Sequence, residues 1–240
     1  KNLILESRSA QGKPLLGRDI AQSYVAKKMD VILGLGTMAT QVAMKTAKHS
    51  CTKVIFVSVT DPQSAGLINP KAKVQTITGV SNFVAVEPQL RFFKKLYPKI
   101  KTLGVIYNPG EDNSALMVQL IQKAAKAEGL KIVLAAANGT DQVPQAAKGL
   151  INQVDGYFIS NDNTALAAFQ SILKVTKSSE KPVFCSDGDI VPQGATAALG
   201  PDQYALGQQT ANLLLNWLDK GGTPPPIEYP EGMKEYRAVK

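Results

Sequence analysis

The feature that most constrains this chain is a repeated alternation. Short apolar runs such as VILGL, KVIFVSV, KTLGVIY, LKIVLAA, VDGYFIS and KPVFCSD are separated by segments with apolar residues at helical spacing. Strands that alternate with helices predict parallel sheets covered by helices on both faces. The alternation comes in two series, one ending near TGVSN (78–82) and the next beginning near Lys101. In 240 residues that leaves room for two domains of roughly 100–120 residues each. The fold class expected is therefore α/β, two doubly wound parallel-sheet domains.

In detail, NLILES, VILGL, KVIFVSV and VQTITGV read as strands of the first series, with helices over 17–29 and 38–48. Helix 84–97 leads to KTLGVIYNP, then helix 112–128 carries Leu116, Met117, Leu120, Ile121, Ala124 and Ala125 on one face and stops at Gly129. LKIVLAA, helix 141–152, VDGYFIS, helix 163–177 and KPVFCSD follow. ATAALG (195–200) is a further strand before helix 202–219 and the stiff connector around Pro224-Pro225-Pro226.

In open parallel sheets, ligands bind outside the carboxyl ends of the strands. The first series places there Thr37 and Met38, then Thr60 and Asp61, then Ser81 and Asn82. The second places Asn113 and Ser114, then Asp162, Asn163 and Thr164, then Ser186 and Asp187. Each residue alone is an expected helix cap or turn former; matching polar loops in both series favour a binding edge. Helix N-termini with free N–H groups suit an anion such as a carboxylate. An ammonium group needs a carboxylate partner, for which Asp187, ending a strand ahead of glycine, is favoured over Asp162 and Asp61.

Gly34-Leu-Gly36-Thr-Met-Ala39, with Asp61 downstream, also approaches the dinucleotide fingerprint G-x-G-x-x-G/A. A hydride-transfer enzyme needs an acid or base beside the nicotinamide. No histidine or Tyr-x-x-x-Lys stands at the strand ends of the second series, so an NAD(P)-dependent oxidoreductase is the weakest reading. The protein is expected not to be an enzyme and to need no cofactor.

The net charge of +8 comes from scattered lysines, and only four arginines are present, Arg8, Arg18, Arg91 and Arg237. Solvated helix faces account for this better than a nucleic-acid surface. Two cysteines, Cys51 and Cys185, and one histidine, His49, argue against a disulfide framework and a Cys- or His-based metal site. There is no run of 18 apolar residues to span a bilayer.

Eight stretches taken in order resemble one family. They are SRSAQGK (7–13), GLGTMATQ (34–41), VTDPQSAGLI (59–68), TGVSN (78–82), GVIYNPGEDNS (104–114), FISNDNT (158–164), FCSDGD (184–189) and YALGQQTANLL (204–214). The set resembles the substrate-binding proteins of ABC transporters, in the group that includes tryptophan and other aromatic amino-acid importers. The resemblance implies a type I periplasmic-binding-protein fold, whose two domains close on a ligand about three crossing segments. It places these near 80–83, 188–195 and 228–235. Domain 1 is then expected over 1–82 plus 196–230, and domain 2 over 83–195 plus 231–240. The family's pattern also has a strand and helix ahead of KNLILESRSAQG that are not in this sequence.

For the ligand, the resemblance points to Thr37, Met38, Thr60 and Asp61 in domain 1. In domain 2 it points to Asn113, Ser114, Asp162, Asn163 and Asp187. Thr37 and Ser114 are the candidates for a carboxylate, and Asp187 for the α-ammonium. A hydrophobic or aromatic amino acid is preferred over a sugar, with Tyr107, Tyr157, Phe158 and Tyr204 as possible apolar surface and Trp217 as core. The implied setting is periplasmic or membrane-anchored outside the cell, as a monomer serving an ABC permease. A ligand-sensing domain of the same fold is the alternative.

Overall fold

The computed structural model describes residues 3–71 and 75–238. They fall into two compact units, one within residues 1–81 and 210–228, the other within 82–209 and 229–240. The chain thus passes between units at 81/82, 209/210 and 228/229.

The first unit contains α1 (Pro14–Ala26), β1 (Val31–Leu35), α2 (Thr37–Ala47), β2 (Lys53–Val59) and β3 (Thr78–Ser81). Its three strands pair in parallel in the order β1-β2-β3. β2 is the central strand, and Val54, Ile55, Phe56 and Val57 are all buried. That is the continuous apolar run expected of a strand covered on both faces. Phe56, Ile32, Ala43, Ala47, Val59, Leu67 and Ile77 share one core cluster. α1 begins at Pro14 rather than 17, because Pro is preorganised for the first helical turn, where its missing N–H is not needed.

The expected strand NLILES does not form in its described part. Residues 3–10 have no regular structure, and Leu3, Ile4 and Leu5 are exposed. The segment is instead tied to α1 through Glu6, whose carboxylate meets Lys27 Nζ at 2.7 Å and whose carbonyl accepts from the Tyr24 hydroxyl. Asn2 and Val74, also within expected strands, and Val239 and Lys240 at the expected end of domain 2, lie outside the described residues.

The second unit contains α3 (Val86–Leu96), β4 (Thr102–Tyr107), α4 (Asp112–Ala127), β5 (Lys131–Ala136), α5 (Val143–Leu150) and β6 (Gly156–Ile159). It continues with α6 (Asn163–Ala167), α7 (Phe169–Lys177), β7 (Val183–Cys185) and β8 (Ala197–Gly200), and closes with β9 (Lys234–Arg237). The sheet order is β5-β4-β6-β7-β8-β9, parallel except for β9, which runs antiparallel to β8. One face packs on α3 and α4, where Phe93 stacks on Phe184 with centroids 4.5 Å apart and meets Phe158 edge-on at 5.3 Å. The other face carries Ile106, Val143, Tyr157, Ile159, Phe169 and Ile172.

Two expectations are corrected here. The single helix 163–177 is broken at Ala168, whose backbone leaves helical geometry (φ −101°, ψ 17°). Residues 196–209 were expected in domain 1, with a crossing near 188–195. Instead β8 pairs with β7 and β9, which places 196–209 in the second unit and the crossing at 209/210. A short apolar strand reads the same in sequence whichever sheet it joins. α8 (Gln203–Lys220) gives its first turns to the second unit and the rest to the first, where Trp217 is buried.

Candidate functional site

In the first unit the glycine turn is made by two close approaches. A β-carbon on Gly34 would overlap Thr40, whose hydroxyl donates to the Gly36 carbonyl at 2.8 Å. Gly36 takes a positive φ of 80° and donates its N–H to Val57 of β2. Because a glycine occupies the N-cap, no side chain there takes up the first amides of α2. Thr37 is buried and Met38 half-buried at this helix start.

At the end of β2, Ser58 adopts φ 58° and the register with β3 shifts between Val57 and Val59, a bulge that re-aims the chain ahead of Thr60. Ser81 Oγ donates to the buried Thr60's carbonyl at 2.9 Å, joining the ends of β2 and β3. Asp61 Oδ1 accepts from the Gln63 amide and closes the turn.

In the second unit the strand-end residues of β4 and β6 form one network. Asp162 is fully buried; its Oδ2 accepts from the Asn108 amide at 2.6 Å and the Ser114 hydroxyl at 2.5 Å, and its Oδ1 from the Ala165 amide at 2.6 Å. Burial, and then the nearby charge of Glu111, hold its carboxyl above the usual range, while the Ser114 and backbone bonds pull it back. Asn113 Nδ2 donates to the Asn161 carbonyl at 2.7 Å. Glu111 was missed by sequence reasoning. Its carboxylate accepts from the amides of Asn163 and Thr164, the Asn163 side chain and the Thr164 hydroxyl. It caps α6 from 52 residues away, and sequence patterns find only local caps.

Asn113, Ser114, Asp162 and Asn163 are therefore together. The hydroxyl proton of Ser114, expected to hold a ligand carboxylate, is given to Asp162.

Asp187 follows β7, the strand that pairs in parallel with β6. Its Oδ1 accepts from the Asp189 amide at 3.0 Å, capping a 3-10 turn over Gly188–Ile190, and the residue remains half-buried. Ser186 beside it is buried and donates to Gln89 of α3 at 2.8 Å. Burial, then the charges of Asp187 and Asp202, push the Asp189 carboxyl up. Asp202 accepts from the Ala205 and Tyr204 amides at the start of α8; the Ala205 bond, foremost, and its partner Lys234 hold its carboxyl low. Among the aromatic candidates, Tyr157 and Phe158 are core, Tyr107 is half-buried, and Tyr204 is 77% exposed just beyond β8.

The profile of the ABC transporter substrate binding protein family matches residues 1–236. The chain belongs to this family. It is 29% identical over 219 residues to the tyrosine-binding protein of Clostridioides difficile (strain R20291), covering 91% of this chain and 63% of that protein's length. The chain thus spans less than two thirds of that relative. A Vibrio cholerae protein described as a conserved domain protein superposes with a TM-score of 0.90 at 30% identity, over 99% of this chain and 80% of that one. A Streptococcus pneumoniae ABC domain, solved in complex with L-Trp, superposes with a TM-score of 0.86 at 28% identity, over 93% and 78%. The parallel-sheet α/β units of this chain are those of a type I periplasmic binding protein.

Proposed function

We propose that this substrate-binding protein captures an aromatic L-amino acid outside the cytoplasm and delivers it to an ABC permease. The observation that carries the ligand class is Asp187, a half-buried carboxylate presented at a strand end and oriented by the Asp189 amide. An α-ammonium pairs well with such a group through charge-assisted hydrogen bonds. Two of the more similar relatives carry an aromatic amino acid in their names, tyrosine in one and L-Trp in the other, at 29% and 28% identity. These support the aromatic side chain over the sugars named for structures at 19% identity or less.

In this reading the two units are the two lobes, and each supplies strand-end loops to the ligand. Thr37 and the first amides of α2 hold the carboxylate. Met38, Thr60 and Asp61 line the ligand from the first lobe, and Asn113 and Asn163 from the second. Ser114 and Asp162 keep the Asn113–Asn163 loops in shape, and Tyr204 offers an exposed ring. The protein works as a monomer, periplasmic or anchored at the outer face of the membrane.

Thermal unfolding with a panel of twenty L-amino acids and common sugars tests the ligand class. L-Tyrosine, L-tryptophan or L-phenylalanine raises Tm in a concentration-dependent way. A rise with sugars alone contradicts the proposal.

A further inference from the structure

The turn that carries Asp187 is gripped from two sides. Gly200 of β8 lies so close to the Ser186 carbonyl that a β-carbon there would overlap it, and Gly188 leaves the same lack of room against the Tyr236 ring. Tyr236 belongs to β9 and pairs with Ala198 of β8. Its ring is held in turn by Lys234, whose Nζ lies 5.3 Å from the ring centroid and 3.4 Å from Asp202. Burial, then the charges of Asp202, Asp189 and Asp187, push the Tyr236 phenol up.

We propose that Tyr236 is the positioning residue for the Asp187 carboxylate. Seated where Gly188 has no side chain, the ring fixes the turn in which Asp187 Oδ1 meets the Asp189 amide, and so aims the carboxylate at the ligand's α-ammonium. This rests on the aromatic amino-acid reading above. The atoms that approach Gly188 are ring carbons, so phenylalanine serves in the same place, whereas alanine leaves the turn unsupported. Reach to a neighbour that is itself correctly aimed decides the strength of a charged hydrogen bond, which makes a loosened turn costly for an amino acid and irrelevant to a ligand lacking the amino group.

The test compares Tyr236→Ala and Tyr236→Phe in the full chain with two readouts. Without ligand, hydrogen exchange of the Asp189 amide is followed by NMR; it speeds up about 10-fold or more in Tyr236→Ala and stays at the wild-type rate in Tyr236→Phe. With ligand, affinity for L-tyrosine falls about 10-fold in Tyr236→Ala and is kept in Tyr236→Phe, while 3-(4-hydroxyphenyl)propanoate, the same acid without its amino group, loses nothing. Unchanged Asp189 exchange in Tyr236→Ala overturns the positioning role, as does an equal loss for both ligands. Failure of the wild type to bind any aromatic amino acid refutes the ligand reading instead, and the exchange rate then still decides whether Tyr236 holds the turn.

Discussion

Ser186 donates its hydroxyl proton to Oε1 of Gln89 at 2.8 Å, and both side chains are buried. The Gln89 amide nitrogen donates in turn to the carbonyls of Ala85 and Val84, at 3.2 and 3.4 Å. The residue next to Asp187 is thereby tied to the segment just past the first crossing. Gln89→Leu strands the buried Ser186 hydroxyl, at a cost of about 1–3 kcal/mol, and removes a side-chain donor from the two carbonyls. Urea unfolding of Gln89→Leu, Ser186→Ala and the double variant should show single losses that are not additive, because the double variant leaves no unpaired hydroxyl. Additive losses contradict the coupling.

Two carboxylates of the second unit predict opposite pH slopes. Asp155 Oδ2 accepts from the amides of Lys101 and Thr102, both at 2.8 Å. The Lys101 bond is the foremost cause holding its carboxyl below the usual 3.8, with burial opposing. A depressed native value gives stability that is complete above 3.8 and lost as pH falls through that lower value. Asp162, raised by burial, contributes in the reverse sense: fully below 3.8, lost as pH rises through its higher native value. Asp155→Asn should therefore be less stable than wild type at about pH 7, with the gap shrinking toward about pH 2. A gap independent of pH contradicts this.

The alternation of apolar runs was enough to read the α/β architecture, because a buried parallel strand needs an unbroken apolar stretch whatever its neighbours. It did not tell which sheet ATAALG joins, since strand pairing is set by partners far along the chain. At the candidate site, sequence placed Asn113, Ser114, Asp162, Asn163 and Asp187 at strand ends, but not the hydrogen bonds that join the first four through Glu111 and Asn161. Glu111 was invisible because its partners lie about fifty residues away, and Tyr236 because its role depends on a missing β-carbon at Gly188. NLILES has strand composition, but an isolated strand has no ladder to join among the described residues.

Two glycines should respond to alanine in opposite directions. A β-carbon on Gly79 in β3 would overlap the Phe56 carbonyl and ring, and a central-strand backbone cannot move aside. Gly79→Ala should cost about 2–4 kcal/mol. Gly207 lies inside α8 with open space around its β position, so Gly207→Ala should gain about 0.5–1 kcal/mol. Chemical denaturation of both reads the signs directly.

The two thiols should differ sharply in reactivity. Cys51 is exposed, whereas Cys185 is fully buried in β7, where burial and then the Asp187 charge push its thiol well up. Native protein should titrate one thiol quickly with a disulfide reagent, and two in denaturant. Cys51→Ser should remove the fast reaction; rapid labelling of Cys185 in the folded state contradicts the packing.

Asp187 is the proposed partner of the α-ammonium of an aromatic amino acid. Calorimetric titration of wild type and Asp187→Asn with L-tyrosine and L-tryptophan, side by side and with folding checked by circular dichroism, tests it most directly. Wild type should bind saturably at about micromolar or tighter, and a folded Asp187→Asn should lose about 100-fold or more. Equal affinity in the two proteins, or no binding of either amino acid to the wild type, would contradict it.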